Sequence, residues 1–105
     1  MKLRIFLVLE TGAEKNALAV LSQLAELFSV NSPMMEKYHK GGTKILLEKS
    51  LSAATWPDAV HTGLTLAQSF GRSWTILGNV EDELNLVANE FSVSGVKWAE
   101  VSLVR

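Results

Sequence analysis

Three groups of residues have types and spacings that can do chemistry. Asp58 and His61 lie three positions apart, so on a helix they share a face. A carboxylate beside an imidazole is the arrangement that orients a general base. No Gly-x-Ser-x-Gly elbow accompanies them to supply a nucleophile, and they read first as a pair on a helix surface. Lys37-Tyr38-His39-Lys40-Gly41-Gly42 combines charge with a glycine pair that lets backbone amides approach an anion. The phosphate-loop order Gly-x-x-x-x-Gly-Lys-Ser/Thr is absent, and the glycines precede a strand pattern, so a solvated loop is the first reading. Glu81-Asp82-Glu83 is the densest acidic run. Consecutive side chains on a helix point about 100° apart, so these three cannot converge on one ion. With two histidines and no cysteine, no metal site, cofactor or catalytic constellation is expected.

The tryptophans Trp56, Trp74 and Trp98 are prominent for a chain of 105 residues. They read first as packing residues. Trp74 and Trp98 would pair across a sheet if they fall on neighbouring strands. On an open face they would instead be interface anchors, a role in which tryptophan is enriched. No RNP-type aromatic motif accompanies them, so a nucleic-acid platform is not expected.

The elements that must position these groups follow from periodicity. Leu3 to Leu9 is a run of large and β-branched apolar residues, the pattern of a buried strand. From Glu14 to Phe28 the spacing becomes helical, with Ala17, Leu21, Leu24 and Phe28 on one stripe; Thr11 suits the cap and Pro33 the stop. Met34 to Gly42 is irregular and predicts a short helical turn followed by a loop. Thr43 to Ser50 alternates as a second strand, nearer an edge. Thr55-Trp56-Pro57-Asp58 starts a helix: threonine caps, proline suits the first turn, and the aspartate favours the positive end of the dipole. Val60, Leu64, Ala67 and Phe70 form its stripe, Gly63 allows close approach, and Gly71 stops it.

The last third then reads strand over Ser73 to Leu77, turn at Gly78-Asn79, helix from about Val80 to Phe91, turn at Ser94-Gly95, and strand over Val96 to Val104. In that helix Leu84, Val87, Ala88 and Phe91 make the stripe, and the three acids occupy the favourable first turn. The order β-α-β-α-β-α-β predicts a single α/β domain over residues 1–105. Its expected form is a two-layer sandwich on a four-stranded sheet with parallel crossovers, a ferredoxin-like mixed sheet being the rival. Polar residues at Lys44, Glu48, Lys97 and Glu100 predict that one sheet face is less covered.

A net charge of −1 gives no global electrostatic case for nucleic acid or an acidic membrane as partner. The charge is uneven: residues 1–50 hold seven Lys/Arg against five Asp/Glu, a net of +2, and residues 51–105 hold three against six, a net of −3. The apolar run Ile5-Phe6-Leu7-Val8-Leu9 is too short for a membrane span and no small-residue cleavage site follows it. A soluble, unexported protein is expected. The lack of cysteine is compatible with a reducing cytoplasm.

Trp74-x-x-x-Gly78, the acids Glu81 to Glu83 leading into Leu84, and Gly95-Val96-x-Trp98 resemble the ends of small bacterial immunity proteins that neutralise contact-dependent growth inhibition toxins. The resemblance covers about a third of the chain. It implies a cytoplasmic, non-catalytic inhibitor that binds the toxic domain of a secreted effector, often a nuclease. Glu81, Asp82, Glu83 and Trp98 are the residues expected to touch that toxin. A small α/β ligand-binding domain or enzyme acting on an anionic molecule is the alternative, with His39 and Lys40 as its polar groups. An exposed strand edge would also allow a homodimer.

Overall fold

The computed structural model describes residues 1–10, 14–28, 34–37, 41–93 and 95–105. Among these, β1 (Lys2–Leu9), α1 (Glu14–Phe28), β2 (Met34–Lys37), β3 (Thr43–Ser50) and α2 (Trp56–Phe70) make the first two thirds. The last third holds only strands: β4 (Gly71–Arg72), β5 (Thr75–Leu77), β6 (Leu84–Ala88), β7 (Glu90–Phe91) and β8 (Val96–Val104). Six of them form one sheet in the order β2-β3-β1-β8-β6-β5, and every neighbouring pair is antiparallel. β4 and β7 form a separate two-stranded ribbon.

This corrects the expected fold class. The four-stranded β-α-β-α-β-α-β sandwich is not formed, and neither are its parallel crossovers. The reason lies in residues 80–91. Leu84, Val87, Ala88 and Phe91 fit a helical stripe, but Leu84, Leu86 and Ala88 also fit a period of two. The second pattern is the one used: these three are buried while Asn85 and Val87 are only half-buried. β6 takes β8 on one side and β5 on the other, so its backbone groups are satisfied across the sheet. Met34–Lys37, expected as a helical turn, likewise pairs as a strand along β3. The expected cap at Thr11, stop at Pro33 and turn at Ser94 lie outside the described residues.

Both helices cover one face of the sheet. Leu3, Ile5, Leu7 and Leu9 of β1 point toward them, with Ile45 and Leu47 of β3, Leu84 and Leu86 of β6, and Ala99, Val101 and Leu103 of β8. Ala17 and Leu24 meet this layer from α1, and Ala59, Ala67 and Phe70 from α2. Gly63 brings α2 close: a Cβ there would stand 3.2 Å from Leu84 Cδ2 and 3.5 Å from Leu3 Cδ1. Thr55 caps α2, accepting from the Asp58 N–H at 3.3 Å.

Gly71 ends α2, but in an extended conformation (φ −142°) open to any residue, not the left-handed one expected of a glycine stop. Its role is steric. The Trp74 indole lies over Gly71, where an added Cβ would stand 2.7 Å from Cζ2. Trp74 donates its indole N–H to the Ala67 carbonyl at 3.0 Å and packs edge-on against Phe70, 5.3 Å between ring centroids. Phe70 in turn stacks on Phe91 at 5.9 Å. Gly71→Ala is therefore expected to cost about 1–3 kcal/mol, the usual range for overpacking. A urea titration should show a lower midpoint at unchanged slope. Adding Trp74→Phe removes the obstructing ring, so the double variant should lose much less than the sum of the two. Strict additivity would rule out the indole contact as the cause.

Candidate functional site

The sheet face away from the helices is set by alternation along its strands. Cross-strand partners share a face, so Phe6 stands between Leu46 and Glu100, Val8 between Lys44 and Trp98, and Arg4 between Glu48 and Ser102. Val87 lies opposite Glu100, and Met34 opposite Leu46. No described helix residue joins this layer. Phe6, Leu46, Val87 and Trp98 are half-buried, and Met34 is 64% exposed. Half-buried apolar side chains along one uncovered sheet face, with Met34 standing out at its edge, make it a candidate contact surface.

At the centre, Phe6 and Trp98 meet edge to face with ring centroids 5.8 Å apart. The Lys44 ammonium lies 5.9 Å from the Phe6 centroid, within cation–π range. A shallow hollow flanks each side of the pair. One, of about 140 Å³, is lined by Phe6, Met34, Met35, Lys44 and Leu46. The other, of about 210 Å³, is lined by Thr75, Val87, Asn89 and Trp98 among others. Below the pair, Glu48 takes Arg4 at 3.3 Å and Lys2 at 3.7 Å.

Trp98 reaches this face by unbroken alternation with Glu100 and Ser102, and the register of β8 on β1 breaks only beyond it. Val8 pairs with Trp98 but Leu9 pairs with Val96, so Lys97 is an extra residue in β8. Such a bulge bends the strand and re-aims its side chains. Here it keeps Val96 in the core, where strict alternation would have set Val96 on the open face with Trp98. Trp98 and Trp74 therefore do not pair across the sheet, because Trp74 belongs to the helix-covered side.

Glu81, Asp82 and Glu83 are exposed, but in the β5–β6 turn and not on a helix. Asn79 organises that turn. Its carbonyl accepts from the N–H groups of Asp82 and Glu83, both at 2.9 Å, and its Oδ1 accepts from the Glu81 N–H at 3.1 Å. Gly78 supplies the left-handed residue, φ +80°. Trp56 clasps the turn to α2, donating its indole N–H to the Val80 carbonyl at 2.8 Å. Arg105 lies 4.5 Å over the Trp56 ring and donates to the Glu81 carbonyl at 3.0 Å. The turn sits beside Leu84 and Leu103, and Trp98 is five residues further along β8. At ~3.3 Å per residue the acids and Trp98 are roughly 20 Å apart. They belong to the same sheet but not to one contact point.

The other candidates are not brought together. Asp58 and His61 are exposed on α2 and form no bond with each other; the Asp58 N–H serves the helix cap. His39 and Lys40 lie outside the described residues. Beside Gly41 and Gly42, a hollow of about 410 Å³ holds both Lys97 and Glu10, so a carboxylate shares the space an anion would need. Among the described residues no group of three or more His, Asp or Glu could hold a metal ion, and no helix is long and apolar enough to cross a membrane. Sequence reasoning missed Phe6, Leu46 and Met34. The signal was available for Phe6, which shares a face with Arg4 and Val8 in a strand whose odd positions are all aliphatic.

No protein-family model and no curated protein matches the chain.

The positions of the tryptophans separate packing from contact. Trp74→Ala is expected to cost about 3–5 kcal/mol, because its half-buried ring packs on Phe70 and Phe91 and its N–H serves the Ala67 carbonyl. Trp98→Ala should cost roughly 1 kcal/mol, since its half-buried ring makes one aromatic pair, with Phe6. Equal losses in urea unfolding would show that Trp98 is a core residue and end its candidacy as a contact.

Proposed function

We propose that the chain is a non-catalytic immunity protein of the bacterial cytoplasm that binds and neutralises a cognate toxin domain. A nuclease is the toxin activity implied by the resemblance of Trp74-x-x-x-Gly78, Glu81 to Leu84 and Gly95-Val96-x-Trp98. The observation that carries the reading is the Phe6–Trp98 pair on a sheet face that no described helix covers. Aromatic residues on an open surface are typical anchors of protein–protein contacts. The flanking hollows would accept side chains of the partner. The acids Glu81, Asp82 and Glu83, at the far end of β8, would act separately. There they would steer a basic partner and fix its register more than they would add affinity.

Cells expressing the toxin encoded beside this gene are expected to survive when the chain is co-expressed. Trp98→Ala should remove that protection and weaken binding of the purified toxin domain by roughly 30-fold, the loss of one hot-spot residue. Unprotected cells with the intact chain would sink the proposal.

A further inference from the structure

Glu100 stands in the middle of the open face. Phe6 is its direct neighbour on β1, Val87 its direct neighbour on β6, and Trp98 lies two residues before it on the same side of β8. It is half-buried, and it has no hydrogen bond or ion pair among the described residues. Glu48, on the same face, is satisfied differently: Lys2 and Arg4 both reach it. The face thus carries one ion-paired carboxylate at its margin and one, Glu100, with no ion pair among the described residues, in a layer that also holds the Lys44 ammonium beside Phe6. A partly desolvated carboxylate is unfavourable unless a cation or donor meets it.

We propose that Glu100, Trp98 and Phe6 form the docking point for an arginine side chain of a partner protein. The inference rests on the reading of this face as the contact surface and adds the chemistry of what it receives. Arginine fits better than lysine. Its planar guanidinium can stack on the Trp98 ring while its fork of N–H groups meets the Glu100 carboxylate. An ammonium offers a point charge and no plane to stack. The hollow beside Trp98, lined by Thr75, Val87 and Asn89, leaves room for the aliphatic stem of such a side chain.

The first test is an NMR titration of the ¹⁵N-labelled chain with N-acetyl-arginine methylamide, beside its lysine and norleucine counterparts. The arginine probe is expected to shift the Trp98 indole and the Val87 and Glu100 amides saturably, and more strongly than lysine. Norleucine, which has the stem without the charge, should shift them least. Glu100→Gln keeps the shape, and the remainder of its spectrum should be unchanged. It should weaken the arginine probe roughly fivefold or more. Equal responses to arginine and norleucine, or an unchanged response in Glu100→Gln, would overturn the inference. So would shifts at this face on dilution without any probe, which would give it to a second copy of the chain.

The second test separates the inference from the reading beneath it. In the toxin co-expression assay, both Trp98→Ala and Glu100→Gln are expected to lose protection. Loss with Trp98→Ala alone would leave the face as the contact surface and overturn the arginine. Full protection by both variants would overturn both.

Discussion

The strand β1 is hydrogen-bonded along its whole length on both sides, to β3 and to β8, and both pairings are antiparallel. Every other placement follows from it. Its odd positions Leu3, Ile5, Leu7 and Leu9 are almost fully buried under the helices, and its even positions Arg4, Phe6 and Val8 face the other way. A slip of one residue in either pairing would exchange these faces, setting Phe6 against the helices and Ile5 toward solvent. The aliphatic layer under α1 and α2 therefore holds the register. The register in turn sets Leu46 and Glu100 beside Phe6, and Trp98 beside Val8.

The same constraint explains why one face is left open. Helices of 15 residues are about 22 Å long and about 10 Å wide. Two of them side by side span about 20 Å, close to the width of four strands at about 4.8 Å spacing. They suffice for one face of β3, β1, β8 and β6 and leave nothing among the described elements for the other. The open face, with its aromatic pair and the half-buried Glu100, is thus a product of helix number as much as of side-chain choice.

The three tryptophans show how one residue type is divided among different tasks. Trp74 closes the core where α2 ends, using its ring against Phe70 and its N–H on Ala67. Trp56 ties the β5–β6 turn to the start of α2 and provides the plane on which Arg105 rests. Trp98 alone turns to the uncovered face, where Phe6 meets it from β1. In a sequence the three look alike. Only the elements around them differ, and the register of β8 on β1 decides the case of Trp98.

Local chemistry was legible wherever neighbours in sequence decide the structure. The strand at Leu3–Leu9, the helix at Glu14–Phe28, the strand at Thr43–Ser50 and the Thr55-capped helix with its close-packed Gly63 all follow from short-range pattern and capping. The exposed acids at Glu81 to Glu83 and the polar positions Lys44, Glu48 and Glu100 were also readable as residues, though not as parts of one surface. Residues 84–91 were not legible, because their apolar positions satisfy a helical and a strand period at once. A nine-residue strand more than ten positions away settles them by offering backbone partners that a helix would not use. The same holds for the direction of every strand pairing and for the one-residue bulge that keeps Val96 in the core. Composition and periodicity determined which side chains must be buried. Tertiary pairing decided which remain on the outside together, since the positions of that face come from six strands that only the folded sheet sets side by side.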